Sequence, residues 1–280
     1  MIVDLNTIDK QIKLPSPPAI VQRLQDRLSE KNVSYTEIAH IIETDQAFTA
    51  RILRLVNSPF YGFAGKITSI EEAITMLGLN TIHQLLLTTS IINTIRVQNA
   101  VIDINRFWIH SFGAGVIAKH LLVNQNKDKQ SEGFLGGILH DIGRLIFIQL
   151  DTSGFEKLYS NKETPVTLEM EKQYFGVDHQ KIGEVLAKKW NFPASIVKAI
   201  AHHHSPESVK REIEVASAVH ISDLLCHAMS VGDSGSYYIT RFCQSAWEAL
   251  DISYNELEIV LRKAVTEIDQ SRDLLMEIGK

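Results

Sequence analysis

The heaviest constraint on this chain is the set of histidines and aspartates embedded in apolar sequence. In Gly136-Gly137-Ile138-Leu139-His140-Asp141-Ile142-Gly143-Arg144, an imidazole and a carboxylate stand side by side in an apolar, glycine-punctuated stretch. A fold that buries this stretch must supply partners for both groups, because a buried charge needs a counter-charge or a metal. An adjacent His and Asp on one helical turn can grip a single divalent ion or bridge two. The donor set suits Zn²⁺, Mn²⁺, Fe or Mg²⁺. Arg144, four residues after His140, returns to the same helical face and is placed to meet an anion. Taken alone, the pair also fits a helix cap and its partner.

Further segments repeat the arrangement. His110 lies in Phe107-Trp108-Ile109-His110-Ser111-Phe112, at the start of a helical run ending near Leu122. His179 follows Asp178 and opens an amphipathic helix, with Asp178 as its expected cap. His202-His203-His204 precedes Ser205-Pro206, and Asp223 sits in the apolar run Ala216-Ser217-Ala218-Val219-His220-Ile221-Ser222-Asp223-Leu224-Leu225. A shared site in a helical core accounts for all of them economically.

The rest of the chain reads as helix after helix. Residues 9–18 form an extended lead-in, since Pro15, Pro17 and Pro18 lack amide donors. Ile20, Val21, Leu24 and Leu28 recur at helical spacing, and Ser34-Tyr35-Thr36-Glu37 is a capping box. Asp45 opens a helix that Asn57-Ser58-Pro59 stops; Thr68 or Ser69 caps a short one that Gly78 closes. Residues 79–95 carry a dense apolar face. Residues 96–106 mark a passage between two bundles, 124–131 a solvated loop and 151–167 a second connection. Helices follow after Ser245 and over 255–278. No alternating pattern of strand length recurs, so the prediction is an all-α, two-part helical bundle: one half over 1–100, a second over 101–230 and a C-terminal helical extension over 231–280.

Composition excludes several function classes. A net charge of −5 leaves no electrostatic footprint for nucleic acid or anionic membrane. The stretch from Ala73 to Ile92 has a helix-turn-helix look, but Thr81-Ile82-His83-Gln84-Leu85-Leu86-Leu87 is too apolar to lie in a groove. No uninterrupted apolar run reaches spanning length and the N-terminus shows no signal-peptide pattern, so the expectation is a cytoplasmic protein with neither a nucleic-acid nor a membrane partner. Cys226 and Cys243 are too few for a disulfide framework and are expected to be buried thiols.

The order His, His-Asp, His, His-His, Asp resembles the HD superfamily of metal-dependent phosphohydrolases and its HD-GYP branch. Leu14-Pro15-Ser16-Pro17-Pro18, the run from Ile41 through Asp45-Gln46-Ala47-Phe48-Thr49-Ala50-Arg51 to Asn57-Ser58, Tyr61-Gly62, Ile67-Thr68-Ser69-Ile70-Glu71-Glu72-Ala73-Ile74 and Leu77-Gly78 resemble the HDOD domain. The resemblance spans roughly residues 14–225. It implies that the first half is the N-terminal part of an HDOD domain and the second an HD-like half. It also implies a metal set of His110, His140, Asp141, His179, His203, His204 and Asp223 for one or two ions, with His202 a bystander. Asp141 and Arg144 would be the catalytic residues on a phosphoester. HD-GYP members carry Lys where Arg144 stands and a Gly-Tyr-Pro segment where this chain has Ser205-Pro206-Glu207, which counts against cyclic di-GMP as substrate.

Many HDOD domains are bacterial signalling modules that have lost the ligands; this chain keeps a residue at every ligand position. Two readings follow: a signal-transduction module that retains a metal site and binds a signalling protein, or a metal-dependent phosphohydrolase acting on a nucleotide or other phosphoester. Asp45, Arg51 and Asn57 are the polar candidates for an interface or a buried network in the first half. His40, His83, His120, His220 and His227 match no motif and are read as structural or exposed.

Overall fold

Short polar residues decide where the helices begin. The computed structural model describes residues 14–30, 33–58, 61–95, 97, 102–159, 165–236 and 239–271. In the first half, α1 (Ala19–Leu28) follows Pro18, and α2 (Tyr35–Glu43) starts at the Ser34–Glu37 capping box. The Asp45 carboxylate accepts from Phe48 N at 3.0 Å to open α3 (Gln46–Val56). Ser69 caps α4 (Ile70–Leu77), and Gly78, at φ +83°, turns the chain directly into α5 (Leu79–Thr94).

In the second half, Asp103 caps α6 (Ile104–Leu121), and Asn126 caps α7 (Lys127–Leu139), which α8 (Ile142–Leu150) follows at once. Next come α9 (Thr152–Tyr159), α10 (Leu168–Phe175), α11 (His179–Lys189, capped by Asp178) and α12 (Ala194–His202). A 3₁₀ turn (Pro206–Ser208) leads to α13 (Glu214–Ala228), α14 (Gln244–Leu250) and α15 (Tyr254–Gln270). No strand occurs among the described residues; the protein is all-α.

Two helices are buried on nearly every side and organise the rest. Helix α6 packs against α7, α13 and α15, while α5 packs on α3 and α4 and also reaches α7, joining the halves. The Thr81–Leu87 stretch lies in that core, with Ile82, Leu85, Leu86 and Leu87 at 0–1% exposure. A second seam ties the chain start to the second half: Lys189 Nζ donates to Leu14 O and Trp190 Nε1 to Pro15 O, each at 2.9 Å. The α6–α7 crossing needs bare backbone, since a Cβ on Gly137 would stand 2.5 Å from Gly115 Cα and N. This close approach brings His110 and His140 within reach of each other.

Several expectations change. Helix α6 begins two turns before His110, because Asp103 supplies the cap, so His110 is mid-helix rather than at a helix start. The expected loop 124–131 ends at Asn126, and the polar run Lys127-Asp128-Lys129-Gln130 forms the first turn of α7. The connection 151–167 contains α9. Cys226 is buried as expected, but Cys243 is partly exposed, with Sγ on Glu207 at 3.3 Å. The run Lys127–Leu150 is long and apolar enough to cross a membrane by length and composition, and 89% of its most apolar 18-residue window is buried within the protein. Asp45 serves as a cap. Asn57 clamps local backbone, donating to Leu53 O and Ile67 O and accepting from Ile67 N, all at 2.8 Å. The expected lead-in over 9–13, the Pro59 stop, most of the passage 96–101 and the C-terminal segment beyond 271 lie outside the described residues.

Gly137→Ala is expected to destabilise the protein by about 1–3 kcal/mol, the usual cost of overpacking. Gly65→Ala, where a Cβ meets nothing within 4 Å, is expected to change stability by about 0.5 kcal/mol or less. Urea unfolding of both variants reads the difference.

Candidate metal centre

The bend between α7 and α8 places the His-Asp pair at the centre of the second half. His140 closes α7 and Asp141 precedes α8, both buried. The α8 start lies against α11 so closely that a Cβ on Gly143 would meet His179 O at 2.1 Å. Glycine at this position therefore lets His179 approach Asp141.

Four imidazoles turn the same nitrogen inward. Their Nδ1 atoms are committed outward: His110 donates to Val231 O (3.3 Å), His140 to Gly137 O (2.6 Å), His203 to Ile200 O (2.9 Å) and His179 to Glu171 (2.8 Å). Such anchors orient each ring and turn Nε2 inward, the arrangement of metal-binding histidines, in which an unprotonated Nε2 is the ligand atom. Those Nε2 atoms gather on two carboxylates. Asp141 Oδ1 lies 3.2 Å from His179 Nε2 and 3.7 Å from His203 Nε2, while its Oδ2 lies 3.4 Å from His140 Nε2. Asp223 Oδ1 lies 3.1 Å from His110 Nε2 and 3.6 Å from His140 Nε2. His204 stands beside His203, ring centroids 4.1 Å apart, with its Nδ1 on Thr240 Oγ1.

All seven expected ligands therefore converge. Asp141, His179, His203 and His204 form one group with ligand atoms within 4.8 Å of one another; His110, His140 and Asp141 form a second that shares Asp141. Arg144 is buried too, with Nε 3.1 Å from Asp141 Oδ1 and an Nη donating to Ser234 O at 3.1 Å. Its guanidinium is thus occupied by protein on both sides. His202 is only partly buried, outside these groups.

A cation fits this centre on three counts. Among the described residues, His140 Nε2 and Asp141 Oδ1 are buried without a well-aligned hydrogen bond. His179 Nε2 and His203 Nε2 face each other at 3.2 Å although both rings already commit Nδ1 as donor. Two lone pairs that close call for a proton or a metal between them. Finally, the buried carboxylates of Asp141, Asp223 and Glu171 face a single buried guanidinium, leaving negative charge that only protonated imidazole or a bound cation can balance.

The electrostatics follow. Burial opposes charge on His140, yet Asp141 and Asp223 outweigh it and push its pKa up to about 10. Burial also opposes charge on both aspartates, but Arg144 and His140 hold Asp141, and His110 and His140 hold Asp223, well below the usual carboxylate range. Burial pushes His203 down to about 4, and burial with neighbouring His203 and His179 holds His204 well below the ordinary histidine value.

Sequence reasoning missed four participants. Glu171 accepts from both Nδ1 and the backbone N of His179 at 2.8 Å and from the Tyr159 hydroxyl. It lies on α10, a charged eight-residue helix with no motif; only its 1% exposure betrays it. Tyr159 ends α9, inside the segment expected to be a connection, and Ser234 lies in the connection after α13. His227 stands with Nε2 3.4 Å from Asp223 Oδ1, one helical turn further along α13; that i,i+4 spacing was the available signal.

Comparison with known proteins agrees with the architecture. The HDOD domain family matches residues 14–206. An uncharacterized protein of Treponema pallidum (strain Nichols) is 25% identical over 215 residues, covering 72% of this chain and 40% of that protein. The chain thus spans less than half the length of that relative. An HDOD domain protein of unknown function from Geobacter sulfurreducens superposes with a TM-score of 0.75 at 24% identity, covering 97% of each chain. A candidate phosphohydrolase from Shewanella amazonensis SB2B gives 0.73 at 21%, again over 97% of each. A candidate signal transduction protein from Marinobacter aquaeolei VT8 gives 0.74 at 17%, covering 98% of this chain and 61% of that one. At these identities the likeness is one of fold.

For metal-free protein the signs give a pH dependence. Between pH 6.5 and 4, the unfolded chain protonates histidines that His203 and His204 keep neutral when folded, so it binds more protons and stability falls on acidification. His140, protonated in the folded state throughout, partly offsets this slope near pH 6.5, where the unfolded histidine is half protonated, and adds none in the lower part of the window. Below about pH 4 the two depressed aspartates add a further loss. Urea midpoints of chelator-treated protein are expected to drop steadily from pH 6.5 to 4; a flat profile contradicts the assignment.

Proposed function

The chain belongs to the HDOD domain family, and on that premise we propose that it is a signal-transduction module built around a buried divalent-metal centre of one or two ions. The observation that carries the reading is the pair of committed imidazoles, His179 and His203, facing each other at 3.2 Å beside Asp141. His179, His203, His204 and Asp141 would hold one ion; His110, His140 and Asp223 would hold a second. Bound ions of this kind acidify water and neutralise phosphate oxygens. The protein's own residues supply the enclosure: Glu171 orients His179, Arg144 holds Asp141, and Ser234 covers Arg144.

Burial favours regulation over turnover. The aspartates and His110, His140, His179 and His203 are 0–2% exposed, so a phosphoester must wait for the centre to open. The first half supports a role in partner binding through a groove of about 550 Å³ between Leu53, Arg54, Asn57 and Lys66. A second reading, a metal-dependent phosphohydrolase acting on a nucleotide or related phosphoester, is favoured by one feature: Asp141 belongs to two of the three ligand groups among the described residues, and a shared carboxylate is the layout of two-metal hydrolysis.

Saturating Zn²⁺ or Mn²⁺ is expected to stabilise wild-type protein by roughly 3 kcal/mol at a hundredfold excess over Kd, and Asp141→Ala is expected to lose that gain. Thermal unfolding with and without metal reads it. In a phosphoester screen with each metal, the module reading expects no turnover; turnover abolished by Asp141→Ala would establish the hydrolase reading instead.

A further inference from the structure

The Asp223 half of the centre contains a histidine that the family pattern leaves out. Asp223 Oδ1 is a hub for three Nε2 atoms: His110 at 3.1 Å, His227 at 3.4 Å and His140 at 3.6 Å. His227 follows Asp223 by four residues on α13, so both side chains project from one face, and its ring lies 5.0 Å from that of His110. Its ligand atom falls within 4.8 Å of those of His110 and Asp223. At the last turn of α13 an imidazole could serve only as a helix-terminus cation. That role asks nothing of its direction, yet Nε2 points to the Asp223 carboxylate. It is also the outermost member of the group, its side chain 14% exposed where the Asp223 side chain is 3%.

We propose that His227 is a fourth protein ligand, with His110, His140 and Asp223, to a divalent ion of borderline softness in the Asp223 half. The inference rests on the metal reading above and deepens it. It gives each half three imidazoles and one carboxylate: His179, His203, His204 and Asp141 on one side, His110, His140, His227 and Asp223 on the other. Four protein ligands fill the shell of a structural ion, whereas hydrolytic ions keep three and leave a position for water. As a fourth ligand His227 would complete the shell from the side nearest solvent and leave no position for a catalytic water. The centre becomes a closed element that orders α6, α13 and the α7–α8 bend.

Titration of the full chain with Co²⁺, followed by its visible d–d absorption and by metal-to-protein ratio, tests the assignment. Wild-type protein is expected to take two equivalents with the strong absorption of four-coordinate Co²⁺. His227→Ala should keep the equivalent bound in the Asp141 half, bind the other roughly tenfold or more weakly, and lose absorption as water enters. His227→Gln, which keeps more of the side-chain volume, should behave alike and covers the case of an unfolded alanine variant, with circular dichroism checking both. An unchanged second equivalent and spectrum in the folded variants overturns the role of His227 alone. No Co²⁺ uptake by wild-type protein overturns the metal reading with it.

Discussion

The buried Asp141 carboxylate is the interaction on which the rest of the centre depends. One oxygen meets Arg144 and approaches His179 and His203; the other approaches His140. Removing a carboxylate from water costs several kcal/mol unless it is compensated on every side. Helices α7, α8, α11 and α12 all bring a residue to this one group, so their relative placement and its compensation are one requirement. Glycine at 143 makes the approach of α11 sterically possible, and the glycine crossing at 115 and 137 sets α6 against α7.

Around that carboxylate the rings are held from outside. Each inner imidazole is oriented by an Nδ1 bond to a carbonyl or to Glu171, so the inward nitrogens are fixed before any ion arrives. A preorganised set of acceptors in a low-dielectric interior attracts cations strongly and tolerates their absence poorly. The same enclosure that strengthens ion binding keeps bulky substrates out. An ion enclosed in this way would order the surrounding helices without giving a bulky substrate access.

Much of the fold was legible because helix caps are local. Ser34, Asp45, Ser69 and Asp178 each announce a helix start within four residues, and each is a cap in the structure. The seven expected ligands were legible through a different signal, polar residues that an apolar helix cannot bury alone. Glu171 and Ser234 were not, because a charged residue in a charged segment and a serine in a connection look solvated until tertiary packing covers them. Arg144 was read as a hand for an anionic ligand; its face is as expected, but Asp141 and Ser234 already hold it. His227 had a readable spacing from Asp223, and only the distance to its carboxylate separates it from a surface histidine.

A crystal structure of the protein grown with Zn²⁺, with anomalous difference density collected at the zinc edge, tests the central claim most directly. Two peaks are predicted, one between Asp141, His179, His203 and His204 and one beside Asp223, His110 and His140, each about 2.0–2.2 Å from its ligand atoms. Density absent from both positions in protein saturated with zinc, with His179 and His203 still facing each other, would show that protons alone hold the cluster together and would contradict the account.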